Sequence, residues 1–195
     1  MSEADRNKWD RRYRGGSYRG RTYPTALVEQ WLPASAGARA LDLACGNGRN
    51  ALFLASAGYL VDAVDISPFA LETASRVADE RRLTVQWIEA DLDGFVPKSS
   101  RYEVIVVARY MNRKLMPRLS SGLRPGGMLI FEHHFQTDHV VNGPRDPAFR
   151  LDPNELLRQY ADLRVCFYQE DIREDPDGRT MALAQLVAVK PEIES

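Results

Sequence analysis

At 195 residues, 44% hydrophobic and 27% charged, the chain has room for one domain with a full core and not for two. A formal net charge of −1 removes any global electrostatic pull toward nucleic acid. Cys45 and Cys166 cannot build a disulfide framework, Met1 is followed by charges, and no apolar run approaches the roughly 20 residues of a membrane span. The expectation is therefore a cytoplasmic protein with no membrane partner.

The first two dozen residues form a polar arm, in which arginines from Arg6 to Arg21 alternate with Trp9, Tyr13, Tyr18 and Tyr23. Asp5 to Arg14 reads as a short helix ended by Gly15-Gly16, and Thr25 to Leu32 as a second, stopped by Pro33. From there short apolar runs alternate with amphipathic stretches, the pattern of βαβ units and a parallel sheet. Strands are expected at Ala38 to Leu43, Leu60 to Asp65, Leu83 to Ile88, Tyr102 to Ala108 and Met128 to His133. Between them lie a helix closed by Gly58, a helix opened by Ser67-Pro68 and running to about Arg82, and a helix over Lys114 to Leu123. Pro125-Gly126-Gly127 reads as the turn into the fifth strand.

Thr137 to Arg150 is a long loop with Gly143, Pro144 and Pro147. Asp152-Pro153-Asn154-Glu155 reads as a capping box with proline at the first helical position. Leu163 to Gln169 and Met181 to Val189 are two further strands joined by Pro176-Asp177-Gly178-Arg179. So short a turn joins only antiparallel neighbours, because a parallel pair needs a crossover. A parallel sheet closed by an antiparallel hairpin favours methyl transfer over hydride transfer, since dehydrogenase sheets usually continue in parallel.

The chemistry is concentrated where the first strand meets its helix, in Leu41-Asp42-Leu43-Ala44-Cys45-Gly46-Asn47-Gly48-Arg49-Asn50. Gly46 and Gly48 let the backbone turn and approach a ligand closely. Asp42 would repel a pyrophosphate but attract the ammonium of an amino-acid cofactor. Asp65 ends the second strand, where a carboxylate accepts both ribose hydroxyls of an adenosine, and Ile66 beside it suits an adenine face. Asp91 follows the third strand, placed to accept an adenine amino proton. Ala44, Cys45, Asn47, Ser67, Leu92 and Ala108 complete the expected wall at the strand carboxyl ends. No metal site is expected from His133, His134 and His139.

Leu41 to Ser67 resembles the cofactor motif of the bacterial tellurite-resistance methyltransferases, a branch of the class I S-adenosylmethionine-dependent enzymes. Leu123-Arg124-Pro125-Gly126-Gly127 resembles the turn before strand five in that wider superfamily. The resemblance implies an α/β fold, a single Rossmann-like doubly wound sheet of seven strands in the order 3-2-1-4-5-7-6, over one domain, residues 1–195. It carries over Asp42, Gly46 and Gly48 as the methionine-moiety loop, Asp65 as the ribose acid and Asp91 as the adenine acid. Ala44 stands where many relatives have glycine. The resemblance names no acceptor. For that, the residues at the ends of strands four and five are the candidates: Arg109, Tyr110, Glu132 and His134, with Tyr13 or Tyr110 available to face a sulfonium. Residues 1–24 and 137–150 are expected to close over the site.

Methyl transfer to a thiol, oxyanion or hydroxyl of a small molecule is the favoured reading. A methyltransferase for RNA or protein, docking through the basic arm, and a nicotinamide-dependent oxidoreductase or non-catalytic nucleotide-binding module are the alternatives. Nucleic acid is disfavoured because no recognition domain is added, and nothing in the sequence fixes the oligomeric state.

Overall fold

The computed structural model describes residues 3–192; the first two residues of the arm and the last three of the chain lie outside the described residues. In chain order the elements are α1 (Glu3–Arg14), α2 (Ala26–Trp31), β1 (Arg39–Leu43), α3 (Arg49–Ser56), β2 (Leu60–Asp65), α4 (Pro68–Glu80), β3 (Val85–Glu89), β4 (Tyr102–Ala108), α5 (Leu119–Gly122), β5 (Leu123–His134), α6 (Glu155–Gln159), β6 (Arg164–Glu174) and β7 (Thr180–Val189). They form one seven-stranded sheet of order β3-β2-β1-β4-β5-β7-β6. β1 to β5 pair in parallel, and β7 runs antiparallel to both β5 and β6. The expected topology and closing hairpin are both present. No helix among the described residues is long and apolar enough to cross a membrane.

Strand alternation divides the core into two layers. Leu41, Leu43, Ile105, Val107, Leu129 and Phe131 face the layer completed by Leu119, Leu156 and Tyr160. Ala40, Val61, Ala63, Val104 and Val106 face the other, completed by Leu27, Val28, Leu54 and Leu71 of the helices on that side.

Three local expectations are corrected. The helix expected over 114–123 is a single 3-10 turn, Met116–Arg118, followed by the four residues of α5. Pro117 lies inside that stretch and has no N–H to continue a helix from the residues before it. Pro125-Gly126-Gly127 is not a turn ahead of the strand but lies within β5, which already pairs at Leu123 with Tyr102. The segment is held there by Lys190, whose carbonyl accepts the Gly126 N–H and whose N–H donates to Gly127. The irregularity appears instead as a register shift between Tyr102 and Val104. Finally, Pro153 is not helical. Asn154 takes φ +58, so α6 begins only at Glu155. Half of the capping box survives, the Glu155 carboxylate accepting the Asp152 N–H at 2.8 Å.

The long loop after β5 is pinned from several sides. The Arg113 guanidinium donates to the carbonyls of Ala148 and Arg150 and pairs with Glu155. Arg150 donates back to the Pro144 carbonyl, and Asn142 bridges to Met181.

Candidate active site

Asp42 shares the side of β1 that Ala40 occupies, two residues on, where the strand opens into the glycine loop. It is 1% exposed, and its Oδ2 has no hydrogen-bond partner among the described residues. Burial pushes its carboxyl up to about 7, against the pull of the nearby Arg49 guanidinium.

The chain then turns through Ala44, Gly46 and Gly48, all at positive φ. A Cβ on Gly46 would lie 2.5 Å from the Tyr13 hydroxyl, and one on Gly48 2.8 Å from the Trp87 ring. Conformation favours glycine at both positions, and at Gly48 the Trp87 ring and the Ala74 Cβ leave no space for a side chain. The Gly46 N–H donates to Asp65 Oδ2 at 2.8 Å and the Ser67 N–H to Asp65 Oδ1 at 2.9 Å. Asp65 thus ties the loop to the end of β2. Burial raises its pKa, and the two N–H donors work against that rise.

A cavity of about 130 Å³ opens at this edge of the sheet. Eight of the expected cofactor residues line it: Ala44, Cys45, Gly46 and Asn47 from the loop, Asp65 and Ile66 from β2, Leu92 beyond β3 and Ala108 from β4. Trp9, Tyr13, Tyr18 and Arg21 of the arm close it from above. The other four expected residues are not on its wall. Asp42 lies buried beneath the loop. Gly48 packs on Trp87 and Ala74. Ser67 caps α4 by accepting the Ala70 N–H while its hydroxyl donates to Asp10. Asp91 is exposed and caps its own turn, accepting the Asp93 N–H at 2.8 Å; Leu92 is the residue of that turn that reaches the cavity.

Arg49 escaped the sequence reading. Its guanidinium lines the cavity and makes no hydrogen bond or ion pair among the described residues. Burial lowers its pKa, and Arg109 and Arg21 nearby lower it further. A signal existed: a cation at the first residue of a helix opposes the helix dipole, so its presence at the start of α3 asks for an anion.

A second cavity of about 800 Å³ lies outside the first and shares Trp9, Tyr18, Arg21, Arg109 and Tyr110 with it. Arg109, Tyr110 and His134 line this outer cavity and Glu132 lies buried behind Arg109; Arg109 and Glu132 are committed to partners. Arg109 stands at φ +62. Its guanidinium donates to Glu132 at 2.7 Å and to Asp175 at 2.8 Å and reaches Met181. Burial works against its charge, but the two carboxylates hold its pKa above the usual value. Both Glu132 oxygens are occupied, one by Arg109 and the other by the Gln185 amide. His134 and His133 stand edge to face, 5.5 Å apart, and burial pushes them down to about 2 and about 4. Burial pushes Tyr110 up to about 12. His134 is therefore neutral near pH 7, a weak base whose Nδ1 has no partner among the described residues, while both Glu132 oxygens are taken by donors.

The residues present fit an S-adenosylmethionine molecule by their chemistry. An orphaned carboxylate oxygen of Asp42 and the Asn47 Oδ1, also buried without a partner, lie at the loop. Asp65 keeps lone pairs beyond those its two N–H donors use. Apolar Ile66 and Leu92 flank it. The inner cavity alone is smaller than the roughly 300 Å³ at which small-molecule sites begin, so Tyr13 and its neighbours must shift to admit a ligand of that size.

Residues 40–127 match the family described as "Methyltransferase domain". The chain is 30% identical to "Hemagglutinin 1" of Eikenella corrodens over 186 residues, covering 88% of this chain and 61% of that protein. It is 27% identical to the "Probable S-adenosyl-L-methionine-dependent methyltransferase TehB" of Haemophilus influenzae over 143 residues, 70% of this chain and 49% of that one. The crystal structure of TehB from Haemophilus influenzae superposes with a TM-score of 0.75 at 24% identity, covering 92% of this chain and 66% of that one; this likeness speaks to the fold. The chain spans 61% and 49% of the length of these two curated relatives, between about half and three fifths.

Proposed function

We propose that the chain, whose residues 40–127 match the methyltransferase-domain family, transfers a methyl group from S-adenosylmethionine to a thiol, oxyanion or hydroxyl of a small molecule. The observation that carries this reading is Asp42: a buried carboxylate with one oxygen unpartnered beneath the glycine loop. A pyrophosphate would be repelled there and an ammonium held. This weighs against a nicotinamide-dependent oxidoreductase or a generic nucleotide-binding module.

Asp42, which lies beneath the loop and off the cavity wall, would have to be uncovered by a shift of the loop to hold the ammonium, with Arg49 on the carboxylate, Asp65 on the ribose hydroxyls and Ile66 and Leu92 on the adenine. Asp91 would have to leave its turn cap to reach the adenine amino group. When bound, S-adenosylmethionine supplies a methyl group already activated by its sulfonium. The protein's contribution is placement of the acceptor and exclusion of water. The arm and the long loop are the lid in this reading: Trp9, Tyr13 and Tyr18 close the inner cavity, and Asn142 to Asp146 wall the outer one.

The arm is poorly presented for docking RNA or protein. Arg12 stacks on Trp9, Arg14 on Phe69 and Arg21 on Tyr18, while Arg21 also pairs with Asp177 and Asp175. Arg21 is thus held by the chain's own carboxylates, and Arg12 and Arg14 lie against rings of the chain's own fold while remaining exposed. A thermal-shift panel of S-adenosylmethionine, S-adenosylhomocysteine and NAD tests the reading. A ligand at 100 times its dissociation constant adds about 2.7 kcal/mol. Stabilisation by the first two and not by NAD is expected; the reverse order would refute it.

A further inference from the structure

The outer cavity concentrates charge of one sign in a chain whose net charge is only −1. Eight lysines and arginines line it against three aspartates. Four of those cations are balanced from behind the wall: Arg21, Arg109 and Arg179 by Asp175, Asp177 and Glu132, and Arg113 by Glu155. The other four are not. Lys8, Lys114 and Arg145 have no acidic partner among the described residues, and Arg12 rests on the Trp9 ring at 5.1 Å. The aspartates do not cancel them: Asp146 accepts the Ala148 N–H and Asp93 the Asn112 amide, while Asp5 has partners of its own.

These four cations come from three places that sequence does not connect: α1, the segment after β4 and the long loop. All four line the outer cavity and none lines the inner one. Charge is thus recognised at the outer end, while Arg109 and Tyr110 mark the junction toward the cofactor loop. The wall also carries apolar and aromatic side chains, Trp9, Tyr18, Tyr110, Met111 and Phe149. Its volume, about 800 Å³, suits a drug-sized ligand and far exceeds a simple inorganic ion. The wall also holds one built polar contact. His133 Nε2 lies 2.9 Å from the Phe149 carbonyl and must donate to it, which leaves Nδ1 as an acceptor; that atom is buried and unpartnered among the described residues.

Resting on the methyl-transfer reading above, we propose that the acceptor is an organic anion: an aromatic or apolar body whose carboxylate or phosphate is held by Lys8, Arg12, Lys114 and Arg145, and whose hydroxyl or thiol points inward. A lone pair of that hydroxyl or thiol forms the new bond to the methyl carbon. The carbon–sulfur bond breaks, its electron pair stays on sulfur, the sulfonium becomes a neutral thioether, and the acceptor's proton passes to water.

The test uses the full chain and two probe acids, 4-mercaptophenylacetate and 4-hydroxyphenylacetate, each beside its neutral amide. Calorimetry on the protein saturated with S-adenosylhomocysteine measures binding, and transfer of a labelled methyl group measures turnover. At least one acid should bind ten-fold or more tighter than its amide at low ionic strength and be methylated in preference to it. Added salt should shrink that preference, and a Lys114→Gln/Arg145→Gln variant should reduce it several-fold. Equal affinities for acid and amide, or an undiminished preference in the double variant, overturn the anion assignment while methyl transfer stands. Acid binding without any methylation of the bound acid overturns its acceptor role. A steeply salt-dependent complex with a short single-stranded RNA, with no acid preference among small molecules, would give these cations to nucleic acid. Failure to bind S-adenosylhomocysteine at all would defeat the methyl-transfer reading first and this inference with it.

Discussion

If Asp42 receives the ammonium of the cofactor, binding must be coupled to its ionisation. Burial raises its carboxyl to about 7, so in the unliganded protein about half of the molecules carry the anion at pH 7 and about one in a hundred at pH 5. Apparent affinity scales with the competent fraction. The dissociation constant for S-adenosylhomocysteine should therefore fall about fifty-fold from pH 5 to pH 7, and Asp42→Asn should abolish that dependence and bind weakly throughout. Titration calorimetry at several pH values checks this. The same shift affects folding with a defined sign. Between pH 4 and 7 the folded state keeps a proton that the unfolded chain has released, so this group lowers stability as pH rises across that window, by up to about 4 kcal/mol. His133 and His134 act oppositely, because burial holds both neutral, with pKa about 4 and about 2, while the unfolded chain protonates them below about 6.5. The difference between wild type and Asp42→Asn in urea unfolding therefore isolates Asp42. A flat affinity from pH 5 to 7, or the same slope in Asp42→Asn, would refute the assignment.

Asp65→Asn should weaken S-adenosylhomocysteine binding by ten-fold or more. Asp65→Ala should also destabilise the fold, because the Gly46 and Ser67 N–H groups both lose their acceptor, at about 1–3 kcal/mol each; calorimetry and urea unfolding read the two effects separately. Arg109→Met should cost about 3–5 kcal/mol in urea unfolding, since it strands the buried Glu132 and Asp175 carboxylates, whereas an unchanged midpoint would mean the pairs contribute nothing. Ala44→Gly should stabilise by roughly 1 kcal/mol by relieving a left-handed φ of +55, read as a higher melting temperature. Hydrogen exchange in residues 3–24 and 137–150 should slow together on adding S-adenosylhomocysteine. Equal exchange with and without it, combined with full turnover after deletion of the residues before Tyr18, would remove the lid.

The parts of this molecule legible in its sequence are those specified locally. Asp42, Gly46, Gly48 and Asp65 lie on a strand–turn–helix–strand segment whose spacing fixes where each falls, and the Pro176 to Arg179 turn forces the closing hairpin. The parts that were not legible depend on contacts between distant segments or on one backbone angle. Glu132 reads as a polar strand end until Arg109 and Gln185 are seen to fill both its oxygens from 23 and 53 residues away. The sequence places Asp91 for an adenine but does not show that its carboxylate also caps its own turn by accepting the Asp93 N–H. Pro117 interrupts one helical pattern and Asn154 delays the start of another, each by a local restriction that periodicity alone does not weigh.

The engagement of both Glu132 oxygens and the weak basicity of His134 change what the proposed site must do rather than whether it can act. A sulfonium methyl is already electrophilic, so a nucleophile held in line can react without a protein base, and placement supplies most of the acceleration. In the methyl-transfer reading, what such a site cannot do without is a fixed frame at the end of β4, where acceptor and donor would meet. Arg109 provides it at the cost of a left-handed backbone, joining β4 to Glu132 on β5 and to Asp175 beside the β6–β7 hairpin, while Arg21 brings the arm to the same Asp175. The antiparallel hairpin that distinguishes this sheet from a dehydrogenase sheet is thus also the element that anchors the arm over the cavity. Movement of the arm to admit a cofactor would then be transmitted through Asp175 and Arg109 to the outer cavity, where the proposed acceptor would rest.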